Sequence, residues 1–199
     1  MLLLVGLGNP GAKHAWNRHN VGYMALDVVA QAYDFSAYRS RFNGVIAEGR
    51  IDGEKVIALR PTTFMNRSGL PVQSAVAYYK GQSDHLIVIH DDVDLDMGTI
   101  RVKSGGGSGG HKGLRDIDQH LGKPGYVRVR VGVGRPPEGW DTADYVLGRW
   151  SEEDRGLLPS VIASAADAVE LILSRGIVDA QNTYNTRNRS EEAPTNEPS

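Results

Sequence analysis

Four polar residues carry the chemistry this sequence can offer. Asn9 follows a short apolar run, His19 lies in the loop beyond it, Asn66 follows a pair of strand-like segments, and Asp91 comes after the apolar run Leu86-Ile-Val-Ile89. A lone histidine is usually a satisfied structural residue and a lone aspartate near a strand end is often a cap, so each by itself reads as structural. Together they supply the parts for hydrolysis without a covalent nucleophile. An imidazole, with an unperturbed pKa of about 6.5, takes a proton from water at neutral pH, and a carboxylate on its other nitrogen fixes the tautomer and stabilises the imidazolium. Asparagine amides can hold the attacking water and the carbonyl under attack.

Other motifs fail on their surroundings. Gly6-Leu-Gly8-Asn-Pro-Gly11 has the glycine spacing of a dinucleotide site, but His14 to His19 shows no helical stripe and no acid closes a following second strand. Gly106-Gly-Ser108-Gly-Gly110 has the spacing of a nucleophile elbow, yet the last histidine, His120, leaves no room for an intervening acid-bearing strand. The same loop lacks the Ser or Thr after Lys112 that a P-loop needs. Asp92-Val-Asp94-Leu-Asp96 has its glycine one place late for a calcium loop and no glutamate at the right distance. With no cysteine in the chain, a disulfide framework, a thiolate zinc site and a cysteine nucleophile are excluded, and a reducing cytoplasm is the expected location.

The elements that must position these residues alternate strand and helix, which predicts an α/β fold. Met1-Leu-Leu-Leu-Val5 reads as a buried strand, too soon interrupted by Gly6 and Pro10 for a signal peptide or membrane span. Val21, Met24, Ala25, Val28, Val29 and Ala32 make an amphipathic helical stripe with Asn20 as N-cap. Residues 44–51 and 55–60 form a hairpin across Asp52-Gly53, so the sheet is predicted to be mixed. A helix near 70–80, strands at 86–89 and 99–103, a glycine loop at 105–110 and a helix at 111–121 follow. In Val127 to Val133 the valines alternate with Arg128, Arg130 and Gly132, giving one apolar face and one that presents two arginines side by side. Ser151-Glu-Glu-Asp154 starts a last helix that Gly176 ends.

The 199 residues, 40% of them hydrophobic, fit one globular domain, a twisted mixed sheet flanked by helices over 1–187. Residues 188–199 have the composition of a disordered polar tail. The net charge of −2 hides an asymmetry: residues 99–135 hold eight Lys and Arg against Asp116 and Asp118, a local charge of +6. A basic run is commonly a solvated face, but between two strands and beside a glycine loop it has the footprint of a polyanion site.

At these residues the chain resembles the bacterial-type peptidyl-tRNA hydrolases. Their ordered motifs stand here as Gly6 to Gly11, Arg18 to Gly22, Pro61 to Gly69, His90 to Asp94, Gly105 to Leu114 and Arg128 to Gly134, with Tyr145-Val-Leu-Gly148 continuing the likeness. They span roughly the first three-quarters of the chain, and six ordered motifs are far more specific than any one. The resemblance implies a monomeric cytoplasmic esterase that frees tRNA from a stalled peptide, with no cofactor, metal, membrane or obligate protein partner. It carries the general base to His19, the orienting carboxylate to Asp91, and water and substrate positioning to Asn9 and Asn66. It gives part of the peptide contact to Met65 and tRNA phosphate contact to Lys103 and Arg130; Phe64, His111, Lys112 and His14 are further expected against the substrate, and Arg128 and Arg135 against tRNA.

Three departures from the family pattern stand out. Lys112 replaces the loop asparagine, His14 and Asn17 stand where relatives usually have Tyr and Thr, and Arg135-Pro-Pro-Glu-Gly-Trp140 lacks the usual lysine. Two other classes stay open at this level: an RNA-binding protein that has lost turnover, and a nucleotide-dependent oxidoreductase, which would need the Gly6 motif to be real.

Overall fold

The computed structural model describes residues 1–81, 85–122 and 125–186. β1 (Leu2–Gly6) leads through two 3-10 turns, Ala12–His14 and Arg18–Asn20, into α1 (Val21–Ala32). β2 (Arg39–Arg41), β3 (Gly44–Ile51) and β4 (Glu54–Pro61) follow, then a 3-10 turn at Met65–Arg67 and α2 (Gly69–Tyr78). The second half runs β5 (Leu86–Asp92), β6 (Ile100–Ser104), α3 (Lys112–Leu121), β7 (Val127–Gly132), α4 (Thr142–Val146), α5 (Glu152–Arg175) and α6 (Ile177–Asn185).

The strands form one sheet in the order β2-β3-β4-β1-β5-β7-β6. β4, β1, β5 and β7 run parallel, while β2 with β3, β3 with β4, and β6 with β7 are antiparallel, so the sheet is mixed as the Asp52-Gly53 hairpin requires. β1 is buried along its whole length because parallel strands are covered on both faces, which is why it reads as an unbroken apolar run. On one face Leu4, Ile87, Ile89, Val129 and Val131 pack with Leu26 of α1 and Val161, Ala165 and Val169 of α5. On the other, Val5, Ile57, Leu59 and Val88 pack with Val72 of α2 and with Leu114 and Ile117 of α3. Between them these two layers exclude water from both sides of the central strands.

From β1 the chain moves to β4 on one side and then returns beside β1 as β5 on the other. The carboxyl ends of three adjacent strands therefore open side by side, the position where α/β sheets bind ligands. Asn9 follows the first, Met65 and Asn66 the second, and Asp91 lies in the last turn of chain of the third.

Several local expectations meet a different outcome. Asn20 holds the N-cap position of α1 without a side-chain cap bond, because its amide is used elsewhere. β2, α4 and α6 carried no usable pattern: the first is three residues long, the second five, and the third buries only Ala180 and Tyr184. By length and composition α5 could cross a membrane, yet Leu158, Val161, Ala165, Val169 and Ile172 are buried against this fold's own core. The Ser151 hydroxyl accepts from Asp154 N–H at 3.0 Å, and so caps α5 as its sequence requires. The polar tail at 188–199 lies outside the described residues.

Candidate active site

Three consecutive residues in the turn before α1 each hold a different part of the site. The Arg18 guanidinium donates to the carbonyls of Arg149 at 2.8 Å and Tyr145 at 3.3 Å and lies 4.2 Å over the Tyr145 ring, which ties α4 and its flanks to the turn. His19 places Nδ1 2.7 Å from Asp91 Oδ1. Asn20 donates from Nδ2 to the Asn9 carbonyl and accepts the Asn9 N–H at Oδ1, both at 2.9 Å. Such close assembly depends on glycine: a Cβ on Gly22 would lie 2.4 Å from the Ile89 carbonyl oxygen and 2.6 Å from Leu7 N, and one on Gly6 would lie 2.4 Å from the Gly22 carbonyl oxygen. The start of α1 can then press onto the ends of β1 and β5, which brings His19 to Asp91 across 72 residues of sequence.

Hydrogen bonds assign the protons. A carboxylate only accepts, so His19 donates from Nδ1 to Asp91, and in the neutral imidazole the lone pair is then on Nε2. His111 caps α3 by accepting Leu114 N–H at Nδ1, at 3.3 Å, so its Nε2 carries the proton and donates to the same Asp91 oxygen at 3.0 Å. The Asn9 Oδ1 accepts Met65 N–H at 2.8 Å, so its Nδ2 is left to donate. The deeper His90 donates from Nδ1 to the Asp91 carbonyl at 2.7 Å, while its buried Nε2 has no hydrogen-bond partner among the described residues.

The charge balance follows from burial. Burial alone would raise the Asp91 pKa, but His19 and His111, through charge and hydrogen bonds, outweigh it and hold the carboxyl far below the usual carboxylate range. His90 is pushed down to about 3, first by burial and then by His111. Nδ1 and Nε2 of the two histidines and the Asp91 oxygen lie close enough to hold a metal ion, a cluster that sequence spacing conceals. The two N–H bonds to Asp91 already occupy those donor atoms.

These groups form part of an open cleft of about 720 Å³ whose walls include Asn9, His14, Phe64, Met65, Asn66, Val93, Lys112, Ala143, Val146 and Leu147. Met65 is buried beneath it, whereas Phe64, Asn66 and Lys112 are exposed at its edge. All members of the expected substrate set, His14, Phe64, Met65, Asn66, His111 and Lys112, are thus brought to one cleft with His19, Asp91 and Asn9.

The expected tRNA set divides. Lys103 is exposed, its ammonium beside Gly106. Arg130 is partly exposed and pairs with Asp92 at 2.7 Å, and the exposed Arg135 meets Asp94 at 3.5 Å. Arg128 corrects the expectation of two arginines displayed together. It is 2% exposed, donates to the Gly107 and Gly106 carbonyls at 2.6 and 2.7 Å, approaches Asp118 at 3.4 Å and lies over Tyr126. The glycine loop, with Gly105, Gly106, Gly109 and Gly110 at positive φ, folds over that guanidinium and removes it from phosphate reach.

The family model described as peptidyl-tRNA hydrolase matches residues 3–193. The chain belongs to the peptidyl-tRNA hydrolase family. It is 47% identical over 189 residues to the peptidyl-tRNA hydrolase of Sorangium cellulosum, covering 94% of this chain and 85% of that one. The peptidyl-tRNA hydrolase of Geobacter sulfurreducens is 45% identical over 185 residues, 93% of this chain and 95% of the relative. The crystal structure of peptidyl-tRNA hydrolase from Acinetobacter baumannii superimposes with a TM-score of 0.87 at 36% identity, covering 93% of this chain and 94% of that one. As a member of this family the chain is an enzyme, a hydrolase of ester bonds. The oxidoreductase alternative fails on geometry as well, since α1 begins ten residues after Gly11 and two 3-10 turns intervene.

Sequence reasoning passed over Arg18 and Asn20 as positioning residues, although both sit in the Arg18 to Gly22 motif. A polar triplet flanking His19 just before an apolar helix was the available signal, but which carbonyls it would reach depends on strand order.

Proposed function

We propose that this chain cleaves the ester between the peptide and the terminal ribose of peptidyl-tRNA by water that His19 activates, without a metal. The observation that carries this reading is the pairing of His19 Nδ1 with the buried Asp91, which leaves Nε2 as a free base in an open cleft. In the reaction His19 Nε2 takes a proton from water as the water oxygen bonds to the ester carbonyl carbon, and Asp91 stabilises the resulting imidazolium. Asn9 Nδ2, a donor whose partner amide oxygen is already used by Met65, supports the oxygen on which negative charge develops. When the tetrahedral species collapses, the bond to the ribose oxygen breaks and the imidazolium returns its proton to that oxygen. Phe64, Met65 and Asn66 supply contacts along the peptide. Lys103 and Arg130 meet tRNA phosphates, with Arg135 at the rim, and Arg128 serves by holding the loop beside them. The enzyme acts as a cytoplasmic monomer.

The test is single-turnover cleavage of peptidyl-tRNA alongside tRNA binding. His19→Ala abolishes cleavage and leaves affinity unchanged, because a general base acts in the transition state and adds little to ground-state binding. Asp91→Asn costs less, since the imidazole remains. Retention of most activity in His19→Ala would overturn the mechanism.

A further inference from the structure

Two residues that depart separately from the family pattern are partners in the fold. His14 ends the first 3-10 turn and Asn17 precedes the second, and the Asn17 amide donates from Nδ2 to His14 Nδ1 at 2.9 Å. Asn17 is 4% exposed and firmly held: its N–H donates to the His14 carbonyl at 2.9 Å, its carbonyl accepts Asn20 N–H at 3.0 Å, and it bridges to Arg149. His14 is half-buried in the wall of the cleft that contains His19 and Asn9.

We propose that Asn17 fixes His14 as an Nε2–H donor that binds an oxygen of the substrate beside the catalytic histidine. This rests on the hydrolytic reading of the cleft given above. A ring nitrogen that accepts a hydrogen bond carries no proton, so the single proton of neutral His14 is on Nε2. His19 has the opposite polarity, with its proton on Nδ1 against Asp91 and its lone pair on Nε2. One imidazole accepts from water and the other donates to substrate, and the difference arises from the neighbour each was given, an amide donor or a carboxylate acceptor. Burial, Lys13 and His19 all lower the His14 pKa, which keeps the neutral donor form at working pH. The acceptors a peptidyl ester brings are carbonyl and ribose hydroxyl oxygens, and either suits an imidazole N–H.

The test combines NMR with kinetics on the full chain. Imidazole ¹⁵N spectra are expected to show His14 protonated at Nε2 alone, and as a tautomer mixture in Asn17→Ala. His14→Phe raises KM for peptidyl-tRNA roughly fivefold, the weight of one uncharged hydrogen bond, with a smaller change in kcat. His14→Gln, which offers an amide N–H, recovers most of the loss. On a substrate whose terminal adenosine lacks the 2′-hydroxyl, disappearance of the His14→Phe defect supports a ribose acceptor, and persistence supports a carbonyl. An Nδ1-protonated His14, or His14→Phe with KM unchanged, overturns the proposal. If Asn17→Ala does not fold, the parent spectrum and the His14 variants still decide it. His19→Ala run in parallel separates the two readings: its retained turnover sinks the hydrolytic site, whereas its inactivity beside an unaffected His14→Phe sinks only the donor role.

Discussion

His111 donates to the same oxygen of Asp91 that receives the His19 proton, at 3.0 Å against 2.7 Å. Since His111 also caps α3, it connects the end of the glycine loop to the carboxylate behind the base. His111→Asn isolates this link, because asparagine is a good N-cap but its shorter side chain does not span to Asp91. The variant is expected to keep its thermal midpoint within a few degrees and to lose roughly tenfold in kcat with little change in KM, a loss of orientation rather than binding. Thermal melts and steady-state kinetics on the same preparation check this, and an unchanged kcat would remove His111 from the mechanism.

Although His19, Asp91 and His111 form a potential ligand cluster, water activation is assigned to His19. Turnover is therefore expected to survive EDTA when polyamine keeps the tRNA folded. A loss of activity that only Mg²⁺ or Zn²⁺ restores, with the tRNA still folded, would move water activation to an ion.

Three of the four basic residues on β6 and β7, Lys103, Arg128 and Arg130, should separate by experiment. Lys103→Ala and Arg130→Ala each weaken binding of full tRNA and reduce the salt slope by about one, the signature of one lost phosphate contact. A minimal substrate with a short peptide ester is affected far less. Arg128→Ala instead lowers stability by about 2–3 kcal/mol, because its buried guanidinium bonds to Gly106, Gly107 and Asp118 are lost. Denaturant midpoints and salt-dependent binding titrations distinguish the two behaviours.

Lys112 is the first residue of α3 and is exposed at the cleft. An ammonium at that place can meet a phosphate near the tRNA end, and its charge can be tested. Lys112→Asn should leave the chemical step within a few-fold, weaken tRNA binding and flatten its salt dependence. Removing a positive charge from a helix N-terminus also stabilises α3 by about 0.3–1 kcal/mol. Binding as tight as the parent's at every salt concentration would deny Lys112 an electrostatic role.

Stability should fall with acid through His90. Its pKa is pushed down to about 3 in the fold, first by burial and then by His111, against about 6.5 when unfolded. A depressed pKa gives stability that is present above the unfolded value and lost as pH falls, here with a slope approaching ~1.4 kcal/mol per pH unit between about pH 6 and pH 4. Asp91, also depressed, adds its loss only below about pH 4. His90→Gln should have a shallower slope in denaturant titrations across that window, and parallel slopes would show that His90 is not the group responsible.

The sequence by itself determined the α/β class, the mixed sheet and the chemical cast. Burial writes apolar periods into the chain, as in β1 and the α1 stripe, and backbone chirality writes the Asp52-Gly53 turn, so both are legible locally. Asn9, His19, Asn66 and Asp91 were visible because each falls at the end of such a segment. Only the tertiary structure decided the pairings among them. Asn20 looked like a helix cap and instead grips Asn9, since the 3-10 turns at Ala12–His14 and Arg18–Asn20 fold the chain before α1 back onto the loop after β1. Arg128 and Arg130 share one face of β7 and read alike, yet the glycine loop buries the first and leaves the second at Asp92. His14 and Asn17 read as two unrelated departures until their turns set one amide against one imidazole. A side chain's type and period are properties of its own segment, whereas its hydrogen-bond partner depends on how the turns fold back and, for pairs such as His19 and Asp91, on which strands the sheet brings together, and strand order is not encoded in any single stretch of chain.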